Sequence, residues 1–172
     1  MTLELDLIDT RLLDELQADA DRPNVELARI VGLSPAATLH RVRRLKESGI
    51  VRGIAARLDS AAAGFPLQVY VAVTLLQHDE ASHRRFASAV RAMPEVIAAD
   101  WVTGETDAML MVVAREVAQL QRVLVRLSTR GGAARVMTLL RLEELKPSSP
   151  LPIGTTNGAP ARRPRARGGG AR

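Results

Sequence analysis

The 172-residue chain contains no cysteine. Disulfide frameworks, thiolate zinc sites and thiol nucleophiles are excluded together, and the chain suits a reducing compartment. Aromatic side chains are nearly as scarce, being limited to Phe65, Tyr70, Phe86 and Trp101. A stacking platform for single-stranded nucleic acid is therefore not expected, and the core has to be aliphatic. No stretch approaches the ~20 apolar residues of a membrane span, and the opening MTLELDLIDT is acidic and amphipathic, so neither a span nor a secretion signal is expected. The expected location is cytoplasmic.

What the chain does have is the composition of a soluble globular protein, 47% hydrophobic and 25% charged, enough for one large domain or two small ones. Basic residues exceed acidic ones by 24 to 19, but unevenly. Residues 1–59 hold 9 basic and 10 acidic groups, residues 60–146 hold 10 and 9, and residues 147–172 hold 5 and 0. The surplus therefore lies in the tail PSSPLPIGTTNGAPARRPRARGGGAR, which is too poor in apolar residues to offset its ordering entropy. Residues 148–172 are expected to be a disordered basic tail. Its arginines could touch nucleic acid or an acidic surface, or it could be a solvated terminus with no essential role.

Over residues 5–17, Leu5, Ile8, Leu12, Leu13 and Leu16 recur at helical spacing above an acidic face. Asn24 can cap a second short helix with apolar positions Val25, Leu27, Ala28 and Val31, which Gly32 ends. Leu33-Ser34-Pro35 then offers a turn, an N-cap hydroxyl and a proline at the first helical position, predicting a third helix to about Ser48. A short glycine-containing turn between the second and third helices is the helix-turn-helix arrangement. Residues 50–58, IVRGIAARL, are expected to add a short strand or wing, and the small residues DSAAAGFP at 59–66 a linker.

On a helical wheel, Pro35, Thr38, Leu39, Val42 and Leu45 of the third helix share one side, with Ala36, Ala37, His40, Arg43, Arg44 and Glu47 opposite and Arg41 at the boundary. Residues 34–57 hold six basic groups against Glu47, while residues 1–26 hold two basic and eight acidic groups. Such polarity suits duplex recognition, where cations meet phosphates and the recognition helix offers its early residues to base edges. The candidate DNA contacts are Ser34, Ala36, Ala37, Thr38, His40, Arg41, Arg43, Arg44, Lys46 and Arg52. The bland alternative is a solvated basic face.

From Leu67 the period changes to two, with Leu67, Val69, Val71, Val73 and Leu75 alternating against Gln68, Tyr70, Ala72, Thr74 and Leu76. A helix behind an Asp79 cap, with His83, Phe86, Ala87, Val90 and Met93 on its stripe, leads to a strand at 96–103. A strand at 106–114, a helix at 116–129 and a strand at 135–145 follow. Two βαβ units in about 80 residues make the split, ferredoxin-like pattern. The strand at 106–114 is apolar on both faces, so one face needs a cover beyond the two helices, and a second copy of the sheet is the simplest. A homodimer at least is expected.

These residues resemble the Lrp/AsnC, or feast/famine, regulators of bacteria and archaea. The resemblance spans about residues 3–152 and is carried by LDLIDTRLLDELQADADRPNVELARIVGLSPAATLHRVRRLKESGIV at 5–51, MPEV at 93–96, VTGETD at 102–107 and ELKPSSPLP at 144–152. It implies an α+β chain: a winged helix-turn-helix (1–58), a linker (59–66), a ferredoxin-like βαββαβ, ACT-like domain for ligand binding and oligomerisation (67–147), and the tail. It further implies a transcriptional regulator of double-stranded DNA, assembling from dimers into tetramers or octamers and answering to an amino acid or related metabolite. In relatives the hairpin aligned with Thr103, Gly104, Glu105, Thr106 and Asp107 lies in the effector cleft between dimers. Its glycine turn can hold a carboxylate, while Glu105 or Asp107 can pair with an ammonium group; an ordinary polar turn is the plain alternative. The chain departs from the family where an aromatic usually follows the hairpin aspartate, here Ala108, and where Pro-Gly-Val usually precedes the last strand, here RGGAARV at 130–136.

Two other functions compete. An enzyme would need a nucleophile, base and carboxylate or a metal-ligand set, and His40, His78 and His83 supply neither; no catalytic residue, metal or cofactor is expected. A metabolite-binding module working through protein contacts, without specific DNA recognition, would leave the basic stretch at 34–57 without a purpose.

Overall fold

The computed structural model describes residues 4–154 and divides the chain into two compact units. One comprises the N-terminal residues to Ala56 together with the segment from Lys146, and the other comprises Arg57–Leu145.

The first unit holds helices α1 (Leu7–Ala18), α2 (Asn24–Val31) and α3 (Pro35–Glu47). α1 starts at a reciprocal capping box, in which the Asp9 N–H donates to the Asp6 carboxylate at 2.7 Å and the Asp6 N–H to the Asp9 carboxylate at 3.3 Å. α2 stops at Gly32, whose φ of 69° is open to glycine at no steric cost and lets the chain turn sharply into α3. Asn24 does not cap α2 with its side chain. The cap position is Pro23, and the Asn24 amide instead donates to the Pro35 carbonyl at 2.8 Å, pinning the start of α3.

Leu12, Leu13, Leu27, Val42 and Leu45 form the core of this unit, with Leu5, Ile8, Leu16, Val31, Val51 and Ile153 packed around it. Val25 and Leu39, expected on inward stripes, are exposed, since α2 and α3 present narrower faces to a core this small. The expected strand at 50–58 does not form: no ladder partner lies beside it among the described residues, and the segment runs on irregularly after the Val51 N–H bonds the Leu45 carbonyl.

Residues 148–154, assigned above to a disordered tail, pack on α1. The Gln17 side-chain amide grips the backbone of Leu151 at both ends, donating to its carbonyl at 3.2 Å and accepting from its N–H at 2.6 Å. Ile153 joins the core, and Gly154 lies so close to the Asp14 carboxylate that an added Cβ would overlap it. The rest of the expected tail, 155–172, is outside the described residues.

The second unit opens with a turn in which the Ala62 N–H donates to the Asp59 carboxylate. Its elements are β1 (Leu67–Leu75), α4 (Glu80–Arg91), β2 (Val96–Trp101), β3 (Ala108–Ala114), α5 (Val117–Thr129) and β4 (Ala133–Leu140). The sheet order is β2-β3-β1-β4 with every neighbouring pair antiparallel, which is the ferredoxin-like βαββαβ arrangement. Asp79 caps α4 as expected, its carboxylate accepting from the Ser82 N–H. β4 stops at Leu140, short of the expected residue 145: the Arg141 N–H still reaches the Gln68 carbonyl, after which the chain leaves the sheet.

Alternation assigns the two faces. Val69, Val71, Val73, Leu110 and Val112 pack on Phe86 and Val90 of α4, on Met93 just beyond it, and on Val123 and Leu127 of α5. The opposite face carries Tyr70 between Met111 and Leu139, and Ala72 between Met109 and Met137; Tyr70, Met137 and Leu139 are substantially exposed. Among the described residues no helix is long and apolar enough to cross a membrane.

Candidate DNA-reading helix and effector hairpin

The start of α3 is set by Ser34, whose hydroxyl accepts from the Ala37 N–H at 3.2 Å, with Pro35 supplying a pre-set φ. Ser34, Ala36, Ala37, His40, Arg43 and Lys46 are all exposed, and Arg52 lies exposed beyond the helix. Small residues at the start and long polar ones behind let a helix approach base edges closely while cations reach phosphates.

Three of the candidate contacts have other work. Thr38 is fully buried and its hydroxyl donates to the Ser34 carbonyl at 3.0 Å, so it is no DNA contact; its position among apolar residues on the wheel was the better guide. Arg41 donates to Asp6 at 2.6 Å and to Asp9 at 3.0 Å, and Arg44 to Asp9 at 2.5 Å. Asp9 is itself fully buried, so both guanidiniums answer a carboxylate removed from water. The Asp9 backbone N–H, then Arg41, hold the Asp6 carboxyl below its usual range, and the same two carboxylates raise Arg41 further. Part of the opposite charge of segments 1–26 and 34–57 thus cancels inside the unit, joining α1 to α3. Residue counts in separate segments could not show this; the signal was the Asp6-x-x-Asp9 box beside Arg41 and Arg44, one helical turn apart.

In the second unit the hairpin between β2 and β3 closes with the Val102 N–H on the Asp107 carbonyl, both at 2.9 Å for this bond and for that of the Asp107 N–H to the Val73 carbonyl. Gly104 makes the turn at φ 125°, a conformation that favours glycine. Asp107 is anchored into the fold: its carboxylate accepts the Leu75 N–H at 2.7 Å and meets His78 Nε2 at 3.1 Å. Thr103, Gly104 and Glu105 are exposed, so Glu105 is the hairpin carboxylate turned to solvent. Sequence alone left the choice between Glu105 and Asp107 open, because the Leu75 contact spans 32 residues.

Two hollows open on this unit beside Arg85, of about 300 and 170 Å³. No hairpin residue lines either one. Arg85 instead caps α5, donating to the carbonyls of Arg130 and Thr129. His83 stacks on Trp101 with ring centroids 4.8 Å apart. Among the described residues no group of three or more His, Asp or Glu could hold a metal ion.

Comparison with known proteins matches residues 5–52 to a winged helix-turn-helix DNA-binding family and residues 68–151 to the Lrp/AsnC ligand binding domain. The chain is 38% identical over 145 residues to the leucine-responsive regulatory protein of Rhizobium meliloti, covering 84% of this chain and 93% of that one. It is 37% identical over 149 residues to the HTH-type transcriptional regulator AldR of Mycolicibacterium smegmatis, covering 86% and 87%. Among solved structures, a transcriptional regulator from Neisseria meningitidis in complex with L-Met superposes with a TM-score of 0.81 at 32% identity, covering 88% of this chain and 99% of that one. With the helix-turn-helix, the ferredoxin-like sheet and these matches in agreement, the chain belongs to the Lrp/AsnC family of transcriptional regulators.

Proposed function

We propose that this protein works in the cytoplasm as an oligomeric regulator that reads duplex DNA with α3 and answers to an amino acid. The observation that carries the DNA half is the exposed row Ser34, Ala36, Ala37, His40, Arg43 and Lys46 on a helix that Asp6 and Asp9 hold in place through Arg41 and Arg44. Arg43 and Lys46 serve base edges or phosphates, Arg52 phosphates, and the alanines allow close approach. The effector half rests on the match of residues 68–151 to a ligand-binding domain, and on the hairpin's exposed Glu105 beside Gly104. A free amino acid offers an ammonium group to the first and a carboxylate to the N–H groups around the second. Thr103 and Thr106 flank that turn, and Asp107 fixes its position from behind. The apolar sheet face around Tyr70, Met137 and Leu139 supports self-association, with a second copy of the face as its cover.

Binding to a duplex from the region upstream of its own gene, at two salt concentrations, tests the DNA half: log K falls against log salt by about 0.9 per phosphate neutralised. A flat response defeats it. A thermal-shift screen of the twenty amino acids tests the effector half, since a ligand selective for the folded state raises its stability. Sedimentation at low micromolar concentration tests association; monomer alone overturns it.

A further inference from the structure

Arg85, Ser88, Ala89 and Ala92 recur along α4 and its C-cap at helical spacing, so they share one side of that helix. On α5, Arg126 and the C-cap residue Arg130 stand four residues apart and share a side in the same way. The side chains of Ser88, Ala89 and Ala92 are too short to fill the space that these arginines border, and a hollow of about 300 Å³ is left there, with the buried Met93 also in its wall.

The charge of the hollow is one-sided. Three guanidiniums line it and no Asp or Glu does. Glu95 answers one of them, meeting Arg126 Nη2 at 2.8 Å, so two positive charges are left without a carboxylate. Arg85 covers the last carbonyls of α5, reaching Arg130 at 2.9 Å and Thr129 at 3.3 Å, and these are the acceptors that would repel an anion. Its Nη1 has no hydrogen-bond partner among the described residues, and neither has the exposed guanidinium of Arg130. Arg126 Nε is buried with no partner, which costs stability until an acceptor arrives. Capping of α5 accounts for Arg85 alone.

We infer that the hollow between α4 and α5 is a binding site for a small organic dianion, a dicarboxylate or a phosphate monoester, held by Arg85, Arg126 and Arg130. Carboxylate and phosphate oxygens match the planar fork of a guanidinium and take two parallel N–H bonds from it. Ser88 adds a hydroxyl, and Ala89, Ala92 and Met93 offer apolar surface to the carbon skeleton between the charges. The volume is at the low end for ligand sites and suits a skeleton of a few carbons. No residue of the 103–107 hairpin lines this hollow, so the site stands or falls apart from the amino-acid reading of that hairpin.

The test is isothermal titration calorimetry of the full-length protein with succinate, glycerol 3-phosphate and butyrate at constant ionic strength. At least one dianion is expected to bind, with butyrate about tenfold weaker or worse, because it offers one charge to two unanswered guanidiniums. Whichever dianion binds more tightly names the source as carboxylate or phosphate. Arg130→Gln and Ala92→Glu, both at exposed positions and checked for folding by circular dichroism, are expected to weaken that binding about tenfold, the first by removing a donor and the second by placing a carboxylate at the mouth. Glu105→Gln is expected to keep the wild-type affinity for the dianion. Binding of neither dianion, or equal binding of butyrate, overturns the site. Wild-type affinity in Arg130→Gln or in Ala92→Glu also overturns it, and loss of binding in Glu105→Gln overturns it in favour of the hairpin.

Discussion

In the sheet unit twelve apolar side chains, from Val69 to Leu127, form one buried cluster, whereas the cluster of the helical unit has five, and two polar residues, Asp9 and Thr38, are buried with it. The larger unit is held chiefly by apolar burial, which is non-directional and indifferent to pH. The smaller one has too few residues for that and makes up the difference with ion pairs, caps and an apolar side chain from far along the chain, Ile153. Its surface chemistry is thereby constrained, because Arg41 and Arg44 of α3 are partnered by Asp6 and Asp9 of the same unit.

The largest expected effect separates the two units outright. Leu45→Ala, at a fully buried position, should cost ~2–5 kcal/mol and expose the helical unit's amides to hydrogen exchange while the sheet unit keeps its protection. Leu110→Ala should do the reverse, and loss of protection in both units from either change would show that they are one cooperative block. Next comes Asp9→Asn, which leaves Arg41 and Arg44 facing a neutral group. Because both arginines are partly solvated, about 2 kcal/mol is expected, below the cost of orphaning a fully buried charge. A thermal melt checks it.

A smaller contrast tests how the arginines divide their work. Arg43→Ala should weaken specific binding by ~1–3 kcal/mol if it reads a base, or lower affinity evenly across sequences if it meets phosphate, with little change in melting. Arg44→Ala should lower melting first and affect DNA only through α3, and the reverse pattern would reassign both residues. The smallest effect is in acid. Asp6 is depressed by the Asp9 N–H and then by Arg41, so it supports the fold above the ordinary carboxylate pKa of ~4 and ceases to as pH falls through its lowered value. Asp79, held down by the Ser82 N–H, and Glu95, where burial is outweighed by backbone hydrogen bonding and Arg126, do the same for the sheet unit. Asp6→Asn should therefore flatten the acid dependence of the helical unit alone, as followed by exchange between about pH 5 and 3.

Elements were legible where their signals are local. The Ser34-Pro35 start, the Gly32 stop, the Asp79 cap and the alternation of Val69, Val71 and Val73 each lie within a few residues of the structure they specify. What escaped reading was set at a distance. Arg41 looked like a phosphate contact until Asp6 and Asp9, more than 30 residues earlier, folded against it, and Leu151 looked like tail until Gln17 was found 134 residues away. Thr38 failed differently, since the wheel already put it among apolar residues and its polarity alone recommended it. In the hairpin, the residue types were legible but their division of labour was not, because Asp107 is occupied by the backbone of another strand.

The docking of Ile153 also bears on how the molecule is made. Synthesis delivers α1, α2 and α3 first, and domains ordinarily fold in that order as they emerge. Here the apolar side of α1 receives its last piece only after β1 through β4 have been translated. The helices that face DNA therefore reach their finished form last, once the half of the chain built to sense a ligand has already been made.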